Sequence, residues 1–226
     1  MTLKLAITLR SDTTPGRGDG VAGLVDAEIE YDPVTGLPRL GGRTLKGLLV
    51  EECSALLFAI RSASPSASAP LANAAAFLFG SPGSGMIEGA ALHVGTALLP
   101  DDLRAAVLAE IRDGRLTPAQ VLESLASIRR QTAVDPRSGA PATGSLRSSR
   151  VLVRGLVLFA RLDFLAPPDD LALALLAASC LCLRRLGMGR NRGRGRVSTR
   201  VLDDDHDRTW DLTQPLRTLL RGGTLP

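Results

Sequence analysis

Aromatic residues and histidine are scarce in this 226-residue chain, and both scarcities narrow the range of functions. Phe, Trp and Tyr together make up 3% of the residues, which argues against stacking of nucleobases as the main source of binding energy. The two histidines, His93 and His206, lack the partners that a His-based catalytic triad or a zinc site needs. The acidic "DDDHD" segment around His206 fits a solvated turn better than a weak cation site.

Cysteines and long apolar runs are equally limited. Cys53, Cys180 and Cys182 have no CxxC spacing and are odd in number, so we expect buried free thiols in a reducing cytoplasm. No apolar run reaches the roughly 18 residues of a membrane span. The N-terminal "MTLKLAITLR" has the pattern of a strand and not of a signal peptide. We therefore expect a soluble cytoplasmic protein without a membrane partner.

Arginine, in contrast, is abundant, with 25 arginines against two lysines. The formal net charge is only +4, and the arginines gather in a few places along the chain. This pattern indicates a local basic site and not a basic coat over the whole surface. The length and the 45% hydrophobic content suffice for one well-buried domain over residues 1–226.

Hydrophobic periodicity predicts an α+β domain with alternating strands and helices. Extended segments are predicted at 3–10, 24–31, 89–100, 151–164 and 196–204. Helices are predicted at 40–62, 101–114, 117–130 and 171–187. Thr44 is the expected N-cap of the first helix, and Gly36 is expected to close the turn before it. The low-complexity stretch 62–76 is predicted to be a flexible insertion or a weak helix. This order of elements is typical of a ferredoxin-like core, which RNA-recognition modules also use.

Residues 129–150 carry almost no large apolar side chain and lie between well-defined elements. Their richness in Arg, Ser, Gly and Pro predicts a long projecting hairpin or arm. The alternatives are a disordered basic loop and a contact to a neighbouring subunit. The basic residues of this arm are Arg129, Arg130, Arg137, Arg147 and Arg150.

A second basic segment, "RLGMGRNRGRGRV" at 185–197, alternates arginine with glycine. Glycines let a backbone approach a ligand closely and form an anion-binding nest, while guanidinium groups bind phosphates bidentately. We expect this loop to contact a phosphate backbone through Arg190, Arg192, Arg194 and Arg196. A solvated basic turn after a helix is the alternative.

A third candidate is the start of the first predicted helix, "GGRTLKG" at 41–47. Free amides and the positive end of the helix dipole favour a phosphate there. The residues expected to contribute are Gly42, Arg43, Thr44 and Lys46. An ordinary capped helix explains the same residues without any ligand.

Three motifs follow one another along the chain: "VDAEIEYDPVTGLPRLGGRTLKGLL", "FLFG" and "RLGMGRNRGRGRV". Together they resemble the RAMP superfamily of CRISPR-associated proteins, in particular the Cas7-like backbone subunits of type III effector complexes. The resemblance implies a Cas7 RAMP fold with a ferredoxin-like, RRM-like core, a projecting thumb β-hairpin and loop insertions. It also implies an antiviral ribonucleoprotein whose partners are crRNA, a complementary target RNA, Cas10, Cas5-like subunits and further Cas7-like copies.

Asp26 matches the position at which target-cleaving members of that family carry an aspartate. The resemblance thus implies an endoribonuclease that works with a divalent metal, Mg²⁺, and without an organic cofactor. A solvent-facing strand aspartate among other acids is the alternative at Asp26. At the level of the whole chain, the alternative is a non-catalytic assembly subunit, Cas5-like or terminal. A guide-processing ribonuclease would need a general base such as histidine near the glycine-rich loop, and the sequence has none there.

Overall fold

The computed structural model describes residues 3–16, 18–21, 24–80 and 89–222. Within these ranges the strands are β1 Leu3–Leu9, β2 Leu92–Val94, β3 Ala126–Gln131, β4 Arg147–Leu152, β5 Val157–Phe164, β6 Val197–Asp203 and β7 His206–Asp207. The helices are α1 Gly42–Ala63, α2 Ser68–Phe79, α3 Asp101–Arg112, α4 Pro118–Leu125, α5 Asp170–Cys182, α6 Thr209–Leu212 and α7 Gln214–Leu220. Among the described residues, no helix has both the length and the apolar character that crossing a bilayer requires.

The main sheet has five strands in the order β2-β5-β1-β6-β7, and each strand is antiparallel to its neighbours. Its first four strands and two helices follow one another as β1-α1-β2-β5-α5-β6. This is the split βαβ arrangement of a ferredoxin-like core. The α+β fold class expected from the sequence is confirmed.

Strand β1 shows why the sheet has one buried face. Leu3, Leu5, Ile7 and Leu9 are all nearly inaccessible to solvent and belong to one core with residues of α1, α2 and α5. The side chains between them lie on the opposite face, as the two-residue period of a strand requires. Helix α5 packs against α1, α2, α6, α7 and β6, so ten of its thirteen residues are buried.

The cysteines are free, as expected, and Cys53 and Cys180 are buried. Burial raises the pKa of the Cys180 thiol to about 12, because a thiolate loses its hydration in the core. Cys180 is therefore an unreactive packing residue at neutral pH.

Several local expectations differ from the structure. The helix predicted at 117–130 ends at Leu125, because residues 126–131 pair with β4 as strand β3. Helix α1 begins at Gly42 with Gly41 as N-cap, so Thr44 lies inside the first turn and does not cap it. Residues 62–76 are the end of α1, a 3₁₀ turn and most of α2, which buries Leu71 and Ala74, so the helical alternative of that prediction is the one observed. The segment 24–31 has isolated bridges in place of a continuous strand, and α5 ends at Cys182, before the predicted Gly187.

Other local predictions are confirmed. Gly36 has φ of 72°, and a side chain there would overlap the carbonyl oxygen of Pro118. The structure also shows two helix caps beyond these predictions: Thr117 and Gln120 form a capping box at the start of α4, and Asp169 accepts a hydrogen bond from the Ala172 amide at the start of α5. The first and last long strands, β1 and β6, lie where periodicity placed them.

The arm predicted at 129–150 is a β-hairpin formed by β3 and β4, which pair in register from Ala126 with Leu152 to Gln131 with Arg147. We call this hairpin, residues 126–152, the thumb. Its root is anchored by buried residues, Ala126 on one strand and Val151 and Leu152 on the other. Toward the tip both strands lose their buried neighbours, so most of residues 129–147 are exposed to solvent. The thumb therefore projects from the core while its root stays fixed.

Candidate nucleic-acid interface

The arginine- and glycine-rich segment is a closed hairpin and not an open loop. The Leu186 amide donates to the Gly195 carbonyl at 2.9 Å, and the Val197 amide donates to the Arg184 carbonyl at the same distance. The segment is also tied to the chain after β1, because the Gly195 amide donates to the Asp12 carbonyl at 2.9 Å. We call residues 185–197 the arginine loop. Hydrogen bonds within the loop and to Asp12 hold its backbone in place, so the Cα positions of its arginines are fixed.

We expect Gly195→Ala to destabilise the protein by about 2 kcal/mol or more. Gly195 has φ of 69°, and an added Cβ would overlap the Leu186 carbonyl oxygen, a backbone atom that cannot swing away. Gly193→Ala is the matched control, since Gly193 has φ of 80° with open space around it. It should cost only the roughly 1–2 kcal/mol of left-handed backbone strain. Thermal unfolding of both variants measures the difference, and equal losses would contradict the prediction.

Five arginines from different parts of the chain line one groove of about 700 Å³. They come from the end of β1, from β3, from the turn between β4 and β5, and from the arginine loop. Ser11, Asp12, Gln131 and Gly193 complete its lining. The arginines are Arg10, Arg129, Arg130, Arg154 and Arg194. With one aspartate against five guanidinium groups, the groove is strongly positive and suits a polyanion.

Asp12 organises this groove. Its Oδ2 accepts hydrogen bonds from Arg129, from Nε at 3.1 Å and from Nη2 at 2.5 Å. Its backbone carbonyl accepts from Gly195, as described above. Arg10 is oriented separately, since its Nε donates to Ser198 Oγ at 2.9 Å. Asp12 therefore connects the thumb root to the arginine loop and holds one cation of the groove in place.

The sequence predicted Arg129, Arg130 and Arg194 for this site, and the structure brings these three together. It missed Arg10 and Arg154. Arg10 directly follows β1, and its side chain is on the face of the sheet away from the core. Arg154 lies beside Gly155 in an apolar run that the sequence presented as one strand. Only the break of that run into β4 and β5, with a turn between them, brings Arg154 to the groove.

The remaining loop arginines lie apart from the groove lining. Arg190 is bound by α1, because its Nη1 and Nη2 donate to the two carboxylate oxygens of Glu51 at 3.1 and 2.9 Å. Arg192 and Arg196 are exposed. Arg190 is thus held in a bidentate ion pair, whereas the side chains of Arg192 and Arg196 are exposed to solvent.

The predicted site at the start of α1 divides into two pairs. Gly42 is buried, and a side chain there would overlap the Val94 carbonyl oxygen. Lys46 Nζ donates to the Leu92 carbonyl at 2.7 Å, and partial burial lowers the pKa of Lys46. Both residues therefore serve the packing of α1 on β2. Arg43 and Thr44 are exposed and stay candidates for contact with a ligand.

A smaller cavity of about 270 Å³ separates the start of α1 from the arginine loop. Gly41 and Thr44 line it on one side, and Met188 and Arg190 line it on the other. The helix start and the loop, which the sequence marked separately, therefore border the same space.

Asp26 lies beside the thumb, 122 residues away in sequence from its partner Ser148. Asp26 Oδ2 accepts from the Ser148 amide at 2.6 Å and from Ser148 Oγ at 3.2 Å, while the Asp26 amide donates to the Ser148 carbonyl at 2.9 Å. The hydrogen bonds from the Ser148 backbone and side chain, and then the charge of Arg147, hold the pKa of Asp26 below its usual range. Asp26 is therefore an exposed, ionised and oriented carboxylate at neutral pH.

The thumb connects Asp26 to the groove. Ser148 faces Arg130 across the β3-β4 pair, so one strand separates the Asp26 segment from a groove arginine. Arg147 precedes Ser148 and is exposed. The candidate catalytic residue and the candidate binding residues thus lie on opposite edges of the same two-stranded hairpin.

The described residues do not form a resident metal site. No three or more His, Cys, Asp or Glu side chains among them lie close enough together to hold an ion, and this includes the described acidic segment at 203–207. Mg²⁺ prefers an octahedral shell of oxygens, of which Asp26 offers one carboxylate. A metal bound by this chain alone does not fit Asp26.

The outer part of the thumb carries two exposed apolar side chains, Val134 and Leu146, each 62% accessible. Val134 forms a bridge with Pro141 across the tip. Asp135 orders the turn by accepting hydrogen bonds from the Arg137 amide and from Ser138 Oγ. A structured, partly apolar tip suits insertion between stacked bases better than a disordered basic loop does.

No protein-family model matches the sequence, and no curated protein matches it either. Solved structures do match the fold. A chain of "Cryo-EM structure of the Type III-B Cmr-beta bound to cognate target RNA" is 12% identical at a TM-score of 0.60, over 94% of this chain and 98% of that chain. A chain of "Type III-B Cmr-beta Cryo-EM structure of the Apo state" is 14% identical at a TM-score of 0.63, over 91% and 99%. The chain shares its fold with subunits of type III-B complexes over nearly its whole length.

Proposed function

We propose that this chain is a Cas7-like backbone subunit of a type III CRISPR effector complex that binds guide RNA. The five-arginine groove between the thumb root and the arginine loop is the observation that supports this most strongly. Guanidinium groups bind phosphates bidentately, and few aromatics are present for stacking, so the chain recognises the RNA backbone. Sequence is read by base pairing between guide and target. The partners are crRNA, target RNA, Cas10, Cas5-like subunits and further copies of this chain.

The proposal extends to cleavage of the paired target RNA at Asp26. A ribose 2′-oxygen attacks the adjacent phosphorus, the P–O5′ bond breaks, and the products carry a 2′,3′-cyclic phosphate and a 5′-hydroxyl. The ionised Asp26 carboxylate accepts a hydrogen bond from the 2′-hydroxyl and orients it for attack. The 2′-hydroxyl proton passes to water, and water protonates the departing 5′-oxygen. Because Asp26 alone is not a metal site, the proposed reaction assigns no role to a metal ion. Dependence of cutting on Mg²⁺ is a separate prediction, tested by adding EDTA.

A non-catalytic assembly subunit, Cas5-like or terminal, is the second candidate. One observation favours it: Asp26 has a lowered pKa, and a carboxylate that gives up its proton easily is a weak general base. Such a subunit would bind RNA and its neighbours in the same way without cutting.

The test of the proposed function uses the complex reconstituted with this chain, its partner subunits and a guide. Binding of labelled guide RNA is measured between 50 and 300 mM salt, and cutting of complementary and scrambled RNA is followed separately. Tight, strongly salt-dependent guide binding supports the proposal, since each phosphate contact adds roughly 0.7 to the log–log salt slope for single strands. Guide binding that does not change with salt would refute it.

We expect Glu51→Gln to raise RNA affinity by about twofold to fivefold. The Glu51 carboxylate holds both terminal nitrogens of Arg190, and a neutral amide frees this guanidinium for phosphate. The gain is small because both side chains are partly exposed, and such pairs are worth roughly 0–1 kcal/mol. Filter binding at fixed salt measures the change. Asp101→Asn, which removes the carboxylate partner of Arg104 on α3, is the control, and an equal gain there would contradict the prediction.

A further inference from the structure

The segment that carries Asp26 is attached to the thumb by a second polar pair, Glu28 with Arg150. Arg150 Nε donates to Glu28 Oε1 at 2.8 Å, and the same oxygen accepts from the Ile29 amide at 2.9 Å. Glu28 is 1% exposed and Arg150 is 8% exposed. This is an ion pair inside the protein, unlike the exposed pairs on the surrounding surface.

The two polar pairs repeat with the period of a strand. Residues 26–28 run parallel to β4, with a bridge from Ala27 to Ser149, and the Arg150 amide donates to the Ala27 carbonyl at 2.9 Å. Alternate side chains share a face. Asp26 with Ser148 and Glu28 with Arg150 are therefore successive side-chain pairs on one face. The inner pair is buried and the outer one is exposed.

We propose that Glu28 and Arg150 are positioning residues for the reaction at Asp26, an inference that rests on the cleavage proposed above. A buried charge is stable only beside its counter-ion, so Glu28 must lie opposite Arg150 of β4. This fixes the position of Asp26, two residues earlier in the chain. The pair sets the register of the Asp26 segment against the thumb. When the thumb engages RNA, Asp26 keeps a constant offset from it.

The pair adds to an attachment that is short, because residues 26–28 meet β4 through one bridge and the hydrogen bonds to Ser148 and Arg150. The segment 24–31 has isolated bridges and no continuous ladder, and glycine-rich sequence precedes it. Without a charge to pair, a segment of this kind slips easily along its neighbour, and a slip by one residue turns Asp26 to the other face. The ion pair resists such a slip because any other register leaves Arg150 buried without a counter-ion.

The test compares Glu28→Gln, Arg150→Met and Arg150→Lys with the wild-type protein in the reconstituted complex. We expect Glu28→Gln and Arg150→Met to slow single-turnover cutting at saturating target RNA by about tenfold or more. Affinities for guide and target should stay within twofold of wild type. Arg150→Lys keeps the charge and should restore cutting to within about threefold. Rescue by a like-charged residue, with unchanged affinity, separates positioning from a general loss of folded protein.

Glu30→Gln is the matched control, since Glu30 lies two residues further on and forms an ion pair with Arg39, with both side chains partly exposed. It should cut at the wild-type rate. The inference is overturned if Glu28→Gln cuts within twofold of wild type, or if binding and cutting fall in parallel in all three variants. If the wild-type complex does not cut, or cuts equally well with Asp26→Ala, the proposed cleavage is wrong and this inference is overturned with it.

Discussion

We expect Asp26→Ala to slow cutting of target RNA at this subunit by roughly 10²–10⁴-fold, while the affinities for guide and target stay within twofold of wild type. The carboxylate is exposed and makes its side-chain hydrogen bonds to Ser148, at the edge of β4, so its loss leaves the core and the groove unchanged. Positioned groups that assist proton transfer contribute roughly 10²–10⁴ in rate, and we expect a loss in this range. Asp26→Asn tests the charge alone, because it keeps the shape of the side chain, and it should lose nearly as much.

The pH profile gives a second measurement on the same residue. Because hydrogen bonds from Ser148 hold the pKa of Asp26 below its usual range, the carboxylate stays ionised well below neutral pH. Cutting should therefore not fall between pH 7 and pH 5 on account of Asp26. The rate would fall only as the pH approaches the lowered pKa from above. Wild-type rates in Asp26→Ala with binding intact would make the chain an assembly subunit.

Neutralising the groove should have the largest effect on binding. We expect Arg130→Ala, Arg154→Ala and Arg194→Ala together to weaken guide RNA binding about 10²–10³-fold, because each charge-assisted hydrogen bond contributes roughly 1.5–3 kcal/mol and three contacts are lost in part. The log–log salt slope should fall by about 2, one phosphate contact per arginine at roughly 0.7 each. Filter binding over a salt series measures both quantities.

A control with the same change in net charge uses three arginines in exposed ion pairs outside the groove lining, Arg104, Arg115 and Arg208. Their triple alanine variant also removes three positive charges. It should bind guide RNA within about threefold of wild type with an unchanged salt slope. Equal losses in the two triple variants would mean that net charge, and not the groove, carries the binding.

The sequence predicted the fold class because its signals are local and strong. The alternation in β1, the cap at Asp169 and the apolar length of α5 each define an element by themselves. The segment 24–31 was different. Its alternating acids looked like a strand, but it forms only isolated bridges, one to the thumb at Ser149 and the others to residues nearby in sequence. For residues 62–76 the sequence left a flexible insertion and a weak helix open, because small residues carry little periodicity; the structure has the helix, with Leu71 and Ala74 buried.

The candidate site could be predicted only in part, because some of its contacts join residues far apart in sequence. Charge patterning marked Arg129, Arg130 and Arg194, since they lie in visibly basic segments. It could not mark Arg154, an isolated cation in an apolar run, or the role of Arg150, whose burial depends on Glu28, 122 residues away. Gly42 and Lys46 were also predicted as ligand contacts, and in the structure both contact β2.

The thumb also has an open edge. Its two strands pair with each other, the outer side of β4 is occupied by residues 26–28, and among the described residues no strand pairs with the outer side of β3. An unpaired strand edge is a template for pairing with another chain, and charged side chains on it are a common protection. Arg129 and Arg130 lie on this strand and are exposed. The cations that line the groove thus also disfavour edge-to-edge aggregation, so under the proposed function solubility without RNA and affinity for RNA depend on the same side chains.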